Sequence, residues 1–394
     1  MIKAGVGSSN NPESLEAAER ACRDCLTQAG INKADFILIF ITFHHRNNYQ
    51  KILEKVSEIT QTHNITGCSA TGVLSHFGEI EDEPGIVVLC VCSDNLKAKC
   101  FLDSISTDMG QASGNDIKTR LADINTKTKL AMVLADPFSF HHQLFFGSLE
   151  QVTEPVHIIG ATCSENPSSP VTFQYNDKMV NSSSLSQTIM SGNFNYNIGL
   201  TQGCKPASKP LKITDCNRNV IMEIDGRPAY EVLRDYVPEH ILENPNDLLR
   251  IVSVGLCSVS NCDTDSKRNY MVRNLMGVDD KTGIIGIAEN INIGDEIVIT
   301  LRNPEMARDD LKDMLENLKS QINDLSKLRF GIYFNCCGRG AHFYGNKNID
   351  TAYISNYFPD IPIIGFFGNS EIAPMMGKNH LFTYTGVLTL FSEP

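Results

Sequence analysis

FGIYFNCCGRG (Phe330–Gly340) followed by IPIIGFFGNSE (Ile361–Glu371) is an apolar run, a helix-like stretch, and then a hydrophobic approach to a glycine. The same order occurs twice earlier in the chain. FILIFITF (Phe36–Phe43) leads to NITGCSATG (Asn64–Gly72), and LAMVLADPF (Leu130–Phe138) leads to HIIGATCSE (His157–Glu165). A self-similar unit of this size governs the fold, so single motifs have to be read within it. Each copy opens with a strand and a helix: KAGVGSS then 12–29, KAKCFLDSIS then 115–125, and EIVITLRN then 304–325. Each closes with another strand, at Gly85–Val91, Ser184–Met190 and Phe382–Phe391. The unit reads β-α-β-α-β-β, which predicts three copies over 2–95, 97–200 and 296–392.

The last of these opening helices has the plainest signals. Asn303 can cap it, Pro304 suits its first position, and Leu311, Leu315, Leu318, Ile322 and Leu325 keep a three-four spacing. Residues 201–295 do not copy the unit cleanly; a polar junction, TQGCKPASKP (Thr201–Pro210), opens them. A degenerate fourth copy is one reading of this stretch. The expected fold class is therefore α/β, with two modules of repeated β-α-β-α-β-β units (1–205 and 206–394) and mixed sheets packed together and flanked by helices.

Bulk properties exclude some classes. The chain has 394 residues, a formal net charge of -12 and no block of like charges. That argues against nucleic acid or an anionic membrane as partner. The N-terminus lacks a signal-peptide core, and no apolar run approaches the length of a membrane span. Thirteen cysteines sit largely in apolar, strand-like runs, Cys90, Cys92, Cys163 and Cys257 among them. Buried reduced thiols and a cytoplasmic location follow as expectations. Cys22-Arg-Asp-Cys25 lies mid-helix on an apolar face and reads as core, because redox pairs use a helix N-terminus.

The sharpest local feature is Cys336-Cys337-Gly338-Arg339-Gly340 at the exit of an apolar strand. Strand exits of α/β sheets are the usual ligand crevice, and Arg339 can grip a carboxylate or phosphate with two hydrogen bonds. Asn335, Cys336 and Gly340 would line that pocket, with Asn369 and Glu371 contributed by the next loop. Arg273, within the apolar run YMVRN, requires a partner and is a further candidate. An ordinary glycine turn with a solvent-facing arginine is the bland alternative. Paired histidines at the same junction, with His44, His141 and His342 as examples, could supply a haem ligand. Helical His-x₃-His spacing is missing, which speaks against structural zinc. Cys336 or Cys337 could act as an enzyme nucleophile, although no general base is evident in the sequence.

GVGSSNNPESLEAA, ITGCSATG, TQGCKP, IDGRPAYEVLRDY, YMVRNLMGVDDKTGIIGIAENINIGDEIVI, FNCCGRG, GFFGNSEIAP and FTYTGVLTLF together resemble the FIST family (F-box and intracellular signal transduction), with its N- and C-terminal modules. Ser370 and Ala373 stand where that family's pattern leads us to expect glycine. The resemblance implies a non-catalytic sensory protein that binds a small ligand inside the cell, with amino acids a proposed class. It also brings in a group of nitric-oxide-sensing haemoproteins acting through a histidine kinase. Output would then pass to a separate signalling protein.

Overall fold

Three parallel strand pairs carry the repeat. Phe36–Thr42 pairs with Ile65–Ala70, Thr128–Ala135 with Ile158–Thr162, and Leu328–Cys336 with Ile363–Gly368. In each pair the repeat glycine faces one backbone carbonyl. A Cβ at Gly67 would lie 1.8 Å from the Ile39 oxygen, at Gly160 1.9 Å from that of Val133, and at Gly365 1.8 Å from that of Tyr333. The glycine that ends every hydrophobic approach is thus required by the close passage of the neighbouring strand. Strand Phe36–Thr42 is buried at all of its positions, as a strand covered on both faces should be.

The computed structural model describes residues 1–104, 109–122, 124, 126, 128–149, 156–166, 168–257 and 270–394. The chain divides into two units. The first comprises 1–201, 312–381 and 385–394; the second comprises 202–311 and 382–384.

The first unit holds three six-stranded mixed sheets of one plan. One runs Ile2–Ser9, Ile86–Ser93, Phe36–Thr42, Ile65–Ala70, and continues with the hairpin Gln174–Asn176/Met179–Asn181 of the second copy. The next runs Leu96–Ser104, Ser184–Gly192, Thr128–Ala135, Ile158–Thr162, and takes the hairpin Ser370–Met375/Lys378–Phe382 of the third. The last runs Asn195–Gln202, Thr385–Ser392, Leu328–Cys336, Ile363–Gly368, and takes the hairpin Gly72–Ser75/Gly78–Glu81 of the first. Every copy gives its hairpin to another copy's sheet. None of the three sheets is complete from its own copy alone.

This topology corrects where the third copy begins. Its opening strand is Asn195–Gln202, beside Thr385–Ser392, and not EIVITLRN. Glu296–Arg302 belongs to the second unit, whose described strand pairings are all antiparallel. There Glu296–Arg302, Leu211–Asn217, Val220–Ile224, Ile284–Ile287, Tyr270–Asp279 and Val252–Cys257 pair in succession, and Val252–Cys257 returns to Glu296–Arg302. Six strands thus close a ring around the core of Ile213, Ile221, Val254, Ile285 and Ile299. No parallel pair occurs among them, so the stretch is an insertion rather than a fourth copy. It enters the third copy between its first strand and its first helix. The expected contiguous modules 1–205 and 206–394 therefore differ from the spatial units: the second unit starts at Gln202, but most of the third copy lies in the first.

Helix Pro304–Gln321 starts as its sequence indicates, with the Asn303 side chain accepting from the N–H groups of Glu305 and Met306. It stops short of Leu325, which lies exposed in a following 3₁₀ turn. Helix Ser14–Ala29 buries Cys22 and Cys25 in the core. It lies so close to strand Ile2–Ser9 that a Cβ on Gly5 or Gly7 would sit 2.3 or 2.0 Å from a helix carbonyl. Among the described residues, eleven cysteines are free thiols. Cys257 is disulfide-bonded, against the expectation that it is reduced.

Gly67→Ala, Gly160→Ala and Gly365→Ala should each destabilise by more than about 2 kcal/mol, since a backbone carbonyl cannot step aside cheaply. Gly147→Ala, in helix His142–Leu149 with open space around its Cα, should stay within about 1 kcal/mol of the wild type or gain slightly. Urea denaturation of the four variants checks both halves.

Candidate functional site

Register within the three sheets puts Thr42, Asp136 and Cys336 at one equivalent position, three residues beyond Ile39, Val133 and Tyr333. The incoming hairpins place Val73, Gln174 and Glu371 at a second equivalent position, next to the residue that faces the repeat glycine. What these residues do differs from copy to copy.

In the second copy the polar groups close on one another. Gln174 donates through Nε2 to Thr172 Oγ1 at 2.8 Å, and its Oε1 accepts from the Ser184 N–H at 3.2 Å and hydroxyl at 2.8 Å. Thr172 then donates to Asp136 Oδ1 at 2.7 Å. In the first copy Thr42 Oγ1 accepts from the Gly85 N–H at 2.8 Å and donates to the Glu83 carbonyl at 3.2 Å.

The third copy leaves polar atoms unpaired. Glu371 is fully buried; its Oε2 accepts from the Thr385 N–H at 3.3 Å, while Oε1 has no partner. Burial pushes its carboxyl well above the usual range, with the Cys336 thiol beside it adding to the shift. The Thr385 N–H and the Arg339 cation pull the other way without prevailing. Burial thus favours the neutral carboxyl form of Glu371 over the carboxylate.

Arg339 is the largest fully buried side chain, at 0% exposure. Its Nε donates to Asp350 Oδ2 at 3.1 Å, and Nη2 donates to Asp350 Oδ1 at 3.3 Å and to the Tyr344 hydroxyl at 2.7 Å. Tyr333 donates to Asp350 Oδ2 at 2.8 Å and lies 3.4 Å from Asn335 Oδ1. Burial works against the cation, but Asp350 and the two tyrosines hold its pKa well above normal. This corrects the expectation of an open anion anchor: the carboxylate that Arg339 grips is internal. Its Nη1 and the Nδ2 of Asn335 are nevertheless buried without partners. With Glu371 Oε1, three buried polar atoms at this junction lack partners, each costing about 1–3 kcal/mol.

The hairpin from the first copy braces this region. Glu81 accepts from the Ala341 N–H through both oxygens at 3.1 Å, capping the short helix Ala341–Tyr344. Gly340 permits that contact: its φ is +86°, and a Cβ would lie 2.3 Å from Glu81 Oε2. Glu79 accepts from the Asn348 N–H at 2.8 Å and the Thr351 N–H at 3.3 Å, at the start of helix Ile349–Tyr357, whose first turn carries Asp350.

Of the residues singled out from sequence, Arg339, Asn335, Cys336, Gly340 and Glu371 come together at this junction. Asn369 is exposed, and its N–H is spent on the Thr162 carbonyl at 3.0 Å. Arg273 lies in the second unit, paired through Nε with Glu289 at 3.0 Å. His44, His141 and His342 are exposed at the starts of three different helical segments. An axial ligand there would face solvent, so they do not fit an enclosed haem. Sequence reasoning missed Asp350, Tyr333, Tyr344, Glu79 and Glu81. Asp350 had one signal, as an acid in the first turn of a helix soon after an arginine.

Burial and the nearby Asp350 carboxylate raise the Glu79 pKa from 4.5 to about 7, despite the opposing backbone N–H bonds. A carboxyl raised on folding adds stability that is complete below the unfolded pKa and is lost as pH rises through the folded one. Glu79→Gln should thus gain on the wild type between about pH 4.5 and 7, by up to roughly 3 kcal/mol. Chemical denaturation across that window measures it, and a stability difference independent of pH would refute it.

Profile comparison matches the FIST N domain to residues 35–227 and the FIST C domain to residues 229–374. An uncharacterised protein of Mycobacterium tuberculosis is 26% identical over 393 residues, covering the whole of both chains. Human F-box only protein 22 is 28% identical over 94 residues, which is 24% of this chain and 23% of that protein. A cyanuric acid hydrolase structure from A. caulinodans aligns with a TM-score of 0.28 at 10% identity, over 48% of this chain and 71% of its own. No shared function follows at that distance.

Proposed function

The chain belongs to the FIST family, whose domains are signal-transduction sensor modules, and from that premise we propose that it binds a small polar ligand at the third junction without catalysing a reaction. The observation that carries the reading is the inequality of three equivalent junctions. At two of them the equivalent polar side chains, Thr42 in one and Gln174 with Asp136 in the other, are taken up by bonds within their own copy. The third leaves Arg339 Nη1, Asn335 Nδ2 and Glu371 Oε1 unpaired and buried. A folded protein keeps such groups at a cost, and a ligand that pairs with them recovers it.

The ligand chemistry is that of a small acceptor. Arg339 and Asn335 offer N–H donors, and the carboxyl form of Glu371, which burial favours, offers a hydroxyl. The internal Asp350 already balances the guanidinium, so the site is close to neutral before binding. Catalysis through Cys336 is disfavoured. The thiol is only 3% exposed, which leaves a substrate no approach to it. No helix among the described residues is long and apolar enough to cross a membrane. We assign the protein to the cytoplasm and its output to a separate signalling protein, with a histidine kinase the class that the family resemblance favours.

Native mass spectrometry of protein purified without denaturation should find a stoichiometric small molecule, lost in Asn335→Ala and Glu371→Ala and retained in His44→Ala. A released haem with a Soret band, lost on replacing His44, His141 or His342, would move the ligand to the histidines. Protein that is empty, and indifferent in melting temperature to a panel of small metabolites, would overturn the reading. Arg339→Ala is a poor probe of binding, because stranding Asp350 should destabilise the fold by about 3–5 kcal/mol.

A further inference from the structure

The unpaired atoms of the third junction have no exposed surface, so a ligand reaches them only if the chain moves. What covers Arg339 is the stretch that follows it. Its guanidinium is held by the Tyr344 hydroxyl and the Asp350 carboxylate, both within residues 341–350. Glycines in the left-handed region stand at either end of helix Ala341–Tyr344, Gly340 with φ +86° and Gly345 with φ +76°. This strap can therefore swing about two residues that carry no side chain to strain.

A hairpin from the first copy fastens the strap at both ends. The Glu79 N–H donates to Asn348 Oδ1 at 2.6 Å, and the Glu79 side chain accepts in return from the Asn348 N–H at 2.8 Å. The same side chain accepts from the Thr351 N–H at 3.3 Å and the Thr351 hydroxyl at 3.2 Å. These reciprocal bonds make a capping box shared between two copies. Two residues on and on the same face of the strand, Glu81 accepts from the Ala341 N–H.

The groups around Glu79 decide what its charge does. Helix Ile349–Tyr357 brings Asp350, which Arg339 already pairs, and helix Ala341–Tyr344 brings Tyr344. Its own strand brings Glu81, with Lys347 nearby; the preceding strand Gly72–Ser75 carries no titratable group. His76, at the turn, is engaged by Gln28. Ionised, Glu79 is thus an unhydrated carboxylate beside Asp350, with no ion-pair partner of its own among the described residues. Letting go of the strap returns that charge to water.

Resting on the ligand reading above, we propose that the hairpin is a proton-operated latch: protonated Glu79 holds the strap down, and its ionisation frees the strap and opens the way to Arg339. The latch works in the physiological range, because burial and Asp350 raise the Glu79 carboxyl from 4.5 to about 7. A raised carboxyl favours the closed form fully below pH 4.5 and loses that advantage as pH climbs through 7.

Amide hydrogen exchange of the ligand-free protein tests the latch alone. After correction for intrinsic rates, residues 341–351 should open roughly 50-fold more at pH 7.5 than at pH 5, while strand Leu328–Cys336 stays unchanged. Glu79→Gln should abolish the dependence on pH; if that variant does not fold, the wild type across the same range still decides. Modification of Arg339 by phenylglyoxal at pH 7.5 should be at least about tenfold faster in the wild type than in Glu79→Gln, with exposed Arg23 equal in both. Equal strap protection at both pH values, a change of the same size in strand Leu328–Cys336, or equal Arg339 modification in the two proteins would each overturn the latch. Protein found empty by native mass spectrometry would overturn the ligand reading instead, since none of these measurements uses a ligand.

Discussion

A strand at a sheet edge exposes a row of unpaired N–H and C=O groups, and the whole first unit is organised around satisfying those rows. Each copy makes a four-stranded sheet that ends at the strand carrying the repeat glycine. A hairpin from a different copy then pairs with that strand. The exchange runs first to third, second to first and third to second, so no copy can be removed without opening a buried edge. The glycines belong to the same constraint. Gly67, Gly160 and Gly365 each sit between a parallel neighbour and an incoming hairpin strand, where a side chain would strike a carbonyl. Threefold recurrence in the sequence is therefore the imprint of an assembly rule.

The same rule accounts for where the insertion is tolerated. Asn195–Gln202 is the far edge of its sheet, and helix Pro304–Gln321 packs as a separate element. The connection between them takes no part in the hairpin exchange, so it can be lengthened without disturbing a paired edge. An entire closed antiparallel sheet was accommodated there. An insertion within a hairpin would instead have had to pass through a partner copy's sheet.

Local order was legible in the sequence, and long-range partnership was not. The helix start at Asn303-Pro304 and the buried strand Phe36–Thr42 could be read because caps and continuous apolar runs are local signals. EIVITLRN misled because a strong strand directly before a helix looks like the opening of a unit. The true opening strand, Asn195–Gln202, is weaker in pattern and about a hundred residues away. Hairpin exchange leaves no periodicity, so Glu79 and Glu81 could not be connected with Asn348 and Ala341 across some 260 positions. The site was legible as a cluster because CCGRG and GNSE end adjacent parallel strands. Its chemistry was misread, since a sequence does not reveal that Arg339 is buried against Asp350 rather than turned to a ligand.

Near-symmetry also makes the site's departure interpretable. Gln174 and Glu371 occupy equivalent places, differ by an amide against a carboxyl, and both accept from the N–H that opens the returning strand, Ser184 in one and Thr385 in the other. Gln174 has Thr172 and, through it, Asp136 to complete its bonds; Glu371 meets Cys336 where the second copy has Asp136. A thiol is a poor hydrogen-bonding replacement for a carboxylate, so one oxygen of Glu371 has only the weak Cys336 thiol beside it. The frame can sustain that deficit because its stability is distributed over three copies. In a single-copy fold an unpaired buried carboxyl, guanidinium nitrogen and amide would together rival the whole margin of stability. Repetition thus does more than build the scaffold: stability shared over three copies lets the third keep its unpaired groups.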